Sequence, residues 1–168
     1  MRVTSARVEL LPYEDADFAL SEALETDPVM MRELGGPTER SRLPEIHQRR
    51  LGVPLYFKIV PVRSGPPAGT IGIWEKELDG ATIHETGWMV LPAFQGRGIA
   101  TAALGLLIER ARADPGVEAI HAFPAVTNTP SNALCRKFEF SLVRQRDFEY
   151  AGRTLHCNHW MLPTPSSG

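Results

Sequence analysis

Long apolar runs are missing from this 168-residue chain. No window approaches the roughly 18 consecutive apolar residues that a bilayer-spanning helix needs, so no membrane span is expected. The start, Met1-Arg2-Val3-Thr4-Ser5-Ala6-Arg7, is followed by no apolar stretch and does not read as a secretory leader. Cysteine is scarce: Cys135 and Cys157 alone make no disulfide scaffold and fit a reducing compartment, so the expected location is the cytoplasm. An excess of charge is also missing. Eighteen basic against twenty acidic side chains leave a net charge of −2, which gives no bulk attraction to nucleic acid or to an anionic membrane. No internal repeat and no low-complexity block interrupts the chain.

What is present suits one ordinary globular unit. The hydrophobic fraction is 43% and the charged fraction 23%. A chain of this length buries about 70% of its unfolded surface and needs no metal or disulfide to hold its core. A single domain is expected over 1–163, with a loose polar tail over 164–168.

The pattern predicts a strand over 7–12, ended by Pro12, then a helix over 13–25. A second short helix is expected from the Asp27-Pro28 cap to Leu34. A charged helical stretch follows over 38–51, with Leu43, Ile46 and Leu51 on one side. Strands are expected over 55–62 and 69–74. The hairpin pair Asp79-Gly80 leads into a strand over 82–91, broken by Pro92. A helix over 98–113 is apolar nearly all round and should pack deep, and Gly105 inside it implies close packing there. Next come a strand over 117–123 and a helix over 130–138 with Thr129 as N-cap. Two strands over 140–150 and 153–162 complete the chain. The meander should be antiparallel, and the strand–helix–strand unit 82–123 should join two parallel strands. The fold class is therefore α/β (α+β): a mixed, mostly antiparallel sheet of six or seven strands flanked by helices.

The stretch Val90-Leu91-Pro92-Ala93-Phe94-Gln95-Gly96-Arg97-Gly98-Ile99-Ala100-Thr101 runs from a strand end through a short loop into a helix. The first amides of a helix have no intrahelical acceptor and carry the positive end of its dipole, which suits an anion. Gly96 and Gly98 clear side chains from the approach, and Arg97 adds a charge. No Lys follows Gly98, which excludes the phosphate loop of nucleotide hydrolases. Thr101 stands where the dinucleotide fingerprint has its third glycine. The acyl-CoA cradle, Gln/Arg-x-x-Gly-x-Gly/Ala, is satisfied by Gln95, Gly98 and Ala100.

With this cradle, the strand Glu85-Thr86-Gly87-Trp88-Met89-Val90 before it and Asn128-x-x-Ser131 opening the next helix, the chain resembles the GNAT superfamily of N-acetyltransferases. Within it, the RimJ/RimL-like branch is the nearest likeness. The resemblance implies the acyl-CoA N-acyltransferase fold, with acetyl-CoA as cosubstrate, bound where the two parallel strands splay. It implies that the backbone near Met89 and Val90 holds the pantetheine arm. Amides of Gln95, Gly96, Arg97, Gly98, Ile99 and Ala100 would hold the pyrophosphate, with Asn128 and Ser131 on the far side. It further implies direct acetyl transfer to a primary amine in a ternary complex, without a metal.

An amine of pKa near 10.4 must lose a proton before it attacks. Glu85 is the candidate general base, directly or through water; the alternative is a salt-bridged strand residue. The oxyanion donor that the resemblance implies is a backbone amide of the cradle strand, at Val90. Where relatives carry a Tyr as proton donor to CoA, this chain has Cys135, a thiol donor or a small buried filler; Tyr150 or water are further sources of that proton. Glu139 replaces a glycine common in relatives at a left-handed helix stop, which costs roughly 1 kcal/mol and points to an altered helix end. In His156-Cys157-Asn158-His159 strand alternation lets at most two side chains converge, so a metal site is not expected. His84 should face away from Glu85. The Arg40 to Arg50 run reads as a solvated face or a lining of the acceptor pocket, which is expected from 13–50 and 140–160. Homodimerisation through the last strands is compatible with the pattern. A non-catalytic acyl-CoA sensor, or transfer of a longer acyl group such as succinyl, is the alternative function.

Overall fold

The computed structural model describes residues 7–63, 65–150 and 152–165. Eleven regular elements follow one another: β1 (Val8–Pro12), α1 (Phe18–Thr26), α2 (Leu43–Leu51), β2 (Leu55–Pro61), β3 (Gly69–Leu78), β4 (Ala81–Val90), α3 (Ile99–Arg112), β5 (Ala119–Ala122), α4 (Thr129–Lys137), β6 (Ser141–Tyr150) and β7 (Arg153–Pro163). They build one seven-stranded sheet in the order β1-β2-β3-β4-β5-β7-β6. Every neighbouring pair is antiparallel except β4 and β5, as the strand–helix–strand unit requires.

Alternation along β3 and β4 divides the sheet into two faces. Ile71, Ile73, Thr86, Trp88 and Val90 lie on one, with α3 and α4 against it. Tyr56, Trp74 and Glu85 lie on the other, with α1 and α2 above. The α3 helix is one-sided rather than apolar all round. Ile99, Ala103, Leu104, Leu107, Ile108 and Ala111 are buried, while Glu109, Arg110 and Arg112 are in solvent. Leu104 and Leu107 have no exposure, and burial of each stabilises by about 2 kcal/mol. Gly105 is not held by close packing: a β-carbon there would sit 3.7 Å from the Phe138 ring, an ordinary contact.

Three local expectations change. The helix expected from Pro28 is a turn, because Asp27 Oδ1 accepts from the amides of Val29 (2.8 Å) and Met30 (3.0 Å). Only a 3₁₀ turn, Arg32–Leu34, follows before Gly35. The cap of α4 is Asn128 rather than Thr129, since its side chain accepts from the Ser131 amide at 3.2 Å. The tail is anchored at its start: Thr164 is fully buried, its amide donates to the Glu118 carbonyl (2.8 Å) and its hydroxyl to Val117 (3.0 Å). Residues 166–168 lie outside the described residues.

At the end of α4, Glu139 takes the left-handed conformation (φ 63°). Its amide bonds to Arg136 O and that of Phe140 to Cys135 O, both at 3.0 Å, so the helix ends in a Schellman stop without the usual glycine.

Candidate functional site

The two parallel strands touch only briefly. Glu85 of β4 pairs with His121 of β5, and no further rung joins them. Beyond it, β5 ends at Ala122 and the chain keeps to β7, with Pro124 O accepting from Asn158 N–H and Val126 N–H donating to His156 O, both at 2.9 Å, whereas β4 continues to Val90 without it. Five residues of β4, roughly 16 Å of strand, therefore border a wedge with Glu85 and His121 at its narrow end. Glycine is required at the opposite edge of β4, because a β-carbon on Gly69 would lie 1.9 Å from the Met89 carbonyl oxygen.

The mouth of the wedge is the loop before α3. Gly96 (φ 76°) and Gly98 (φ 77°) are both left-handed, which only glycine adopts without strain. The helical ladder begins with Ala102 N–H on the Gly98 carbonyl (3.0 Å), so the amides of Ile99, Ala100 and Thr101 precede it. Those of Gly96, Arg97 and Gly98 also donate to no backbone acceptor among the described residues. Gln95 plays a different part from the one expected. Its own amide is used on Pro92 O (3.2 Å), and its side chain donates to the Val90 carbonyl (2.8 Å), bracing the loop against the end of β4. The exposed loop thus fits a diphosphate: a row of free amides at the positive end of a 14-residue helix, in a loop that also carries Arg97, whose guanidinium lies 5.8 Å over the Phe94 ring.

The far wall is fixed by a residue that the sequence did not flag. Asn132, 3% exposed, donates to Ala125 O (3.0 Å) and Asn128 O (2.8 Å) and accepts from Asn158 (2.9 Å) and the Trp160 indole (2.8 Å). It ties the 124–128 loop to α4 and β7. Asn128 spends its side-chain oxygen on the α4 cap and is half-buried at the wedge, with the half-buried Ser131 one turn on.

At the narrow end, Glu85 accepts from the Trp74 indole (2.9 Å) and lies 3.6 Å from Lys76 Nζ. The Lys76 ammonium sits over the rings of Phe123 (4.7 Å) and Phe148 (4.2 Å). Phe123 stacks on His159, whose Nε2 is 2.8 Å from His121 Nδ1. Arg146 pairs with Asp79, so the β6–β7 hairpin curls over the wedge towards the β3–β4 turn. Burial lowers both imidazoles. For His121 the neighbouring His84 adds to the effect. His159 falls to about 4, helped by His121, Arg146 and Arg144. The expected alternation in 156–159 holds: Asn158 joins Asn132 on one face of the sheet, while His159 meets His121 on the other. Among the described residues no group of three His, Cys, Asp or Glu side chains is placed to hold a metal ion. No helix among the described residues is long and apolar enough to cross a membrane.

Above this face the charged stretch of α2 is only partly solvated. Arg50 bonds to Glu25 and to Ser21 (3.2 Å) and lies 5.4 Å over the Tyr56 ring. His47, 3% exposed, meets Tyr13 (2.6 Å) and Asp15 (3.1 Å). Alternating charges along a short helix gave no sign that these two would turn inward.

Cys135 requires a correction. It has no exposure and packs in the apolar core, where burial pushes its thiol up to about 12. Such a group neither reaches the wedge nor ionises at neutral pH, so it fills space. Tyr150 stands at the end of β6 under Arg42 (5.9 Å).

A mixed sheet splayed between its two parallel strands, with a free helix start at the mouth, defines an acyl-CoA N-acyltransferase fold. The acetyltransferase (GNAT) domain family matches residues 7–141, and the chain belongs to that family. Solved structures agree in fold. A spermidine N-acetyltransferase from Vibrio cholerae, in complex with CoA and spermine, is 17% identical over 94% of this chain and 95% of its own, with a TM-score of 0.74. RimL, a ribosomal L7/L12 alpha-N-protein acetyltransferase in complex with CoA, is 20% identical over 99% and 98%, with a TM-score of 0.75. The yncA acetyltransferase of Salmonella typhimurium, with acetyl-CoA as its cofactor, is 21% identical over 98% and 97%, with a TM-score of 0.69. No curated protein matches the chain.

Proposed function

We propose that this protein transfers an acetyl group from acetyl-CoA directly to a primary amine, on a peptide N-terminus or a small molecule. The observation that carries the reading is the pairing of one wedge with two ends: free amides at its mouth and the Glu85–His121 rung at its throat. Acetyl-CoA, when bound, supplies the acetyl group as a thioester. Amides from Gly96 to Ala100 and the Arg97 charge would hold its diphosphate, and the unpaired edge of β4 near Met89 and Val90 would hold the pantetheine arm. Asn128 and Ser131 would close the far side. A backbone amide near Val90 is the oxyanion donor in this reading. Glu85 meets the amine: its carboxylate attracts an ammonium, and Trp74, Phe123 and Phe148 wall the space beside it. The acceptors of the neighbours, spermine and a ribosomal protein, are both amines, which supports the class without choosing between them.

Calorimetric titration with acetyl-CoA tests the cradle, with dephospho-CoA and succinyl-CoA alongside. Micromolar binding is expected. Failure of every acyl-CoA to bind would leave the fold and remove the function. Released thiol is then followed with spermine and with a serine-starting peptide. Glu85→Gln should keep acetyl-CoA affinity and lose at least about tenfold in kcat/KM for the amine. Unchanged turnover of both acceptors in that variant would exclude Glu85. Binding of acetyl-CoA without turnover of any amine would favour a sensor.

A further inference from the structure

We infer that His121 is the proton acceptor of the transfer, held in the required tautomer by His159, while Glu85 holds the incoming ammonium. The inference rests on the acetyltransferase reading and concerns which side chain takes the proton.

Three observations carry it. His121 shares the one β4–β5 rung with Glu85, so the two side chains leave adjacent strands on the same face, at the throat of the wedge. Next, Glu85 is already engaged: Oε2 accepts from the Trp74 indole and faces Lys76. Its other oxygen, Oε1, has no hydrogen bond among the described residues and is left to accept from an incoming ammonium, and the neighbouring imidazole is free to act as a neutral base. Finally, among the described residues the half-buried His121 is bonded through Nδ1 alone, while His159 is 6% exposed with Nδ1 unpartnered. A hydrogen bond between two neutral imidazoles has two arrangements. Only the one in which His121 donates Nδ1–H to His159 Nε2 leaves a lone pair on His121 Nε2, the ring nitrogen with no hydrogen bond among the described residues. Protonation of His121 keeps that bond intact and strengthens it. His159 stacks on Phe123, which fixes the plane of the acceptor ring.

The charged and titratable groups around the pair are His84 and Glu85 on β4, Lys76 on β3, and Arg144 and Arg146 on β6. Cys157 lies on β7 and Asp79 in the β3–β4 turn. The cations and the burial keep both rings neutral at pH 7, the state that a base requires.

An ammonium acceptor gives up two protons. His121 Nε2 takes one, which frees the nitrogen lone pair to form the C–N bond. The other leaves with the sulfur as the C–S bond breaks and CoA departs as the thiol. The imidazolium then returns its proton to water, so ammonium and thioester give amide, thiol and one released proton.

The test has two arms. In the first, ¹⁵N-histidine spectra of the wild-type protein are recorded from pH 5 to 8 and assigned with His121→Asn and His159→Asn. Expected is His121 with hydrogen on Nδ1 and a bare Nε2 at pH 8; hydrogen on Nε2 would overturn the inference. In the second, thiol release is followed from pH 6 to 9 with spermine and a serine-starting peptide. His121→Asn should lower kcat at least about 100-fold and abolish the acidic limb of the profile, with the acetyl-CoA dissociation constant within about twofold. Glu85→Gln should act mainly on the KM of the amine. A folded His121→Asn protein with wild-type kcat and an unchanged acidic limb would sink the inference while leaving the acetyltransferase reading intact. Failure of the wild-type protein to bind acetyl-CoA would sink that reading instead, and the spectra would still decide the tautomer. Should His121→Asn not fold, His121→Gln takes its place in both arms.

Discussion

Residue chemistry in this molecule is set by surroundings more than by side-chain type. Cys135 in the core and the two histidines of the throat make the point. Cys135 stands where relatives are expected to carry a Tyr that protonates the leaving thiolate, and the sequence left open whether a thiol replaces it. Burial answers: with no exposure and a pKa near 12, Cys135 is a core methylene in effect. Cys135→Ala should therefore leave acetyl transfer within about twofold of wild type and destabilise by about 1 kcal/mol, read from urea midpoints. A large loss of turnover in a folded variant would restore the catalytic reading. His121, by contrast, carried no motif, and His159 stood out only in the 156–159 cluster that strand alternation set aside as a metal site. Their relation crosses two strands and 38 positions, and it appears only once β5 and β7 pair.

At the scale of elements, local rules held where the chain itself supplied every partner. The Asp79-Gly80 hairpin, Pro12, Pro92 and the glycines before α3 all do in the structure what their chemistry dictates. Rules failed where a side chain captured the backbone first, as Asp27 does at the expected second helix. The end of α4 lies between these cases. Glu139 was expected to alter the stop, yet the Schellman bonds form and hold it left-handed, because Phe140 is buried behind it. The strain remains in the native state. Glu139→Gly should raise stability by about 1 kcal/mol, a melting-point gain of roughly 2–4 °C, with kinetics unchanged. A melting point equal to or below that of wild type would show that the left-handed residue is unstrained.

For the whole molecule, buried imidazoles make stability depend on pH. His159 is lowered from 6.5 to about 4 by burial, and His121 is lowered as well. Between those values the unfolded chain binds protons that the native state refuses. Stability is therefore complete above about pH 6.5 and falls as pH drops towards 4, by at most about 1.4 kcal/mol per unit for His159. Urea midpoints at pH 7.5, 6 and 5 should decline in wild type and decline less in His159→Asn; equal slopes would place the effect elsewhere. The sequence by itself determined the mixed sheet, the parallel pair and the loop that opens α3. It did so because periodicity, turn residues and helix starts are written over a few consecutive positions. The family likeness, too, lay in the contiguous run from Glu85 to Ala100 and in Asn128 with Ser131. Tertiary structure alone decided that Asn132 pins the far wall, that Arg50 and His47 turn inward, that Cys135 is buried in the core and that His121 pairs with Glu85 across the two parallel strands. Each of these depends on which strand lies beside which, and on how far burial shifts a proton, and neither is encoded within the reach of a local pattern.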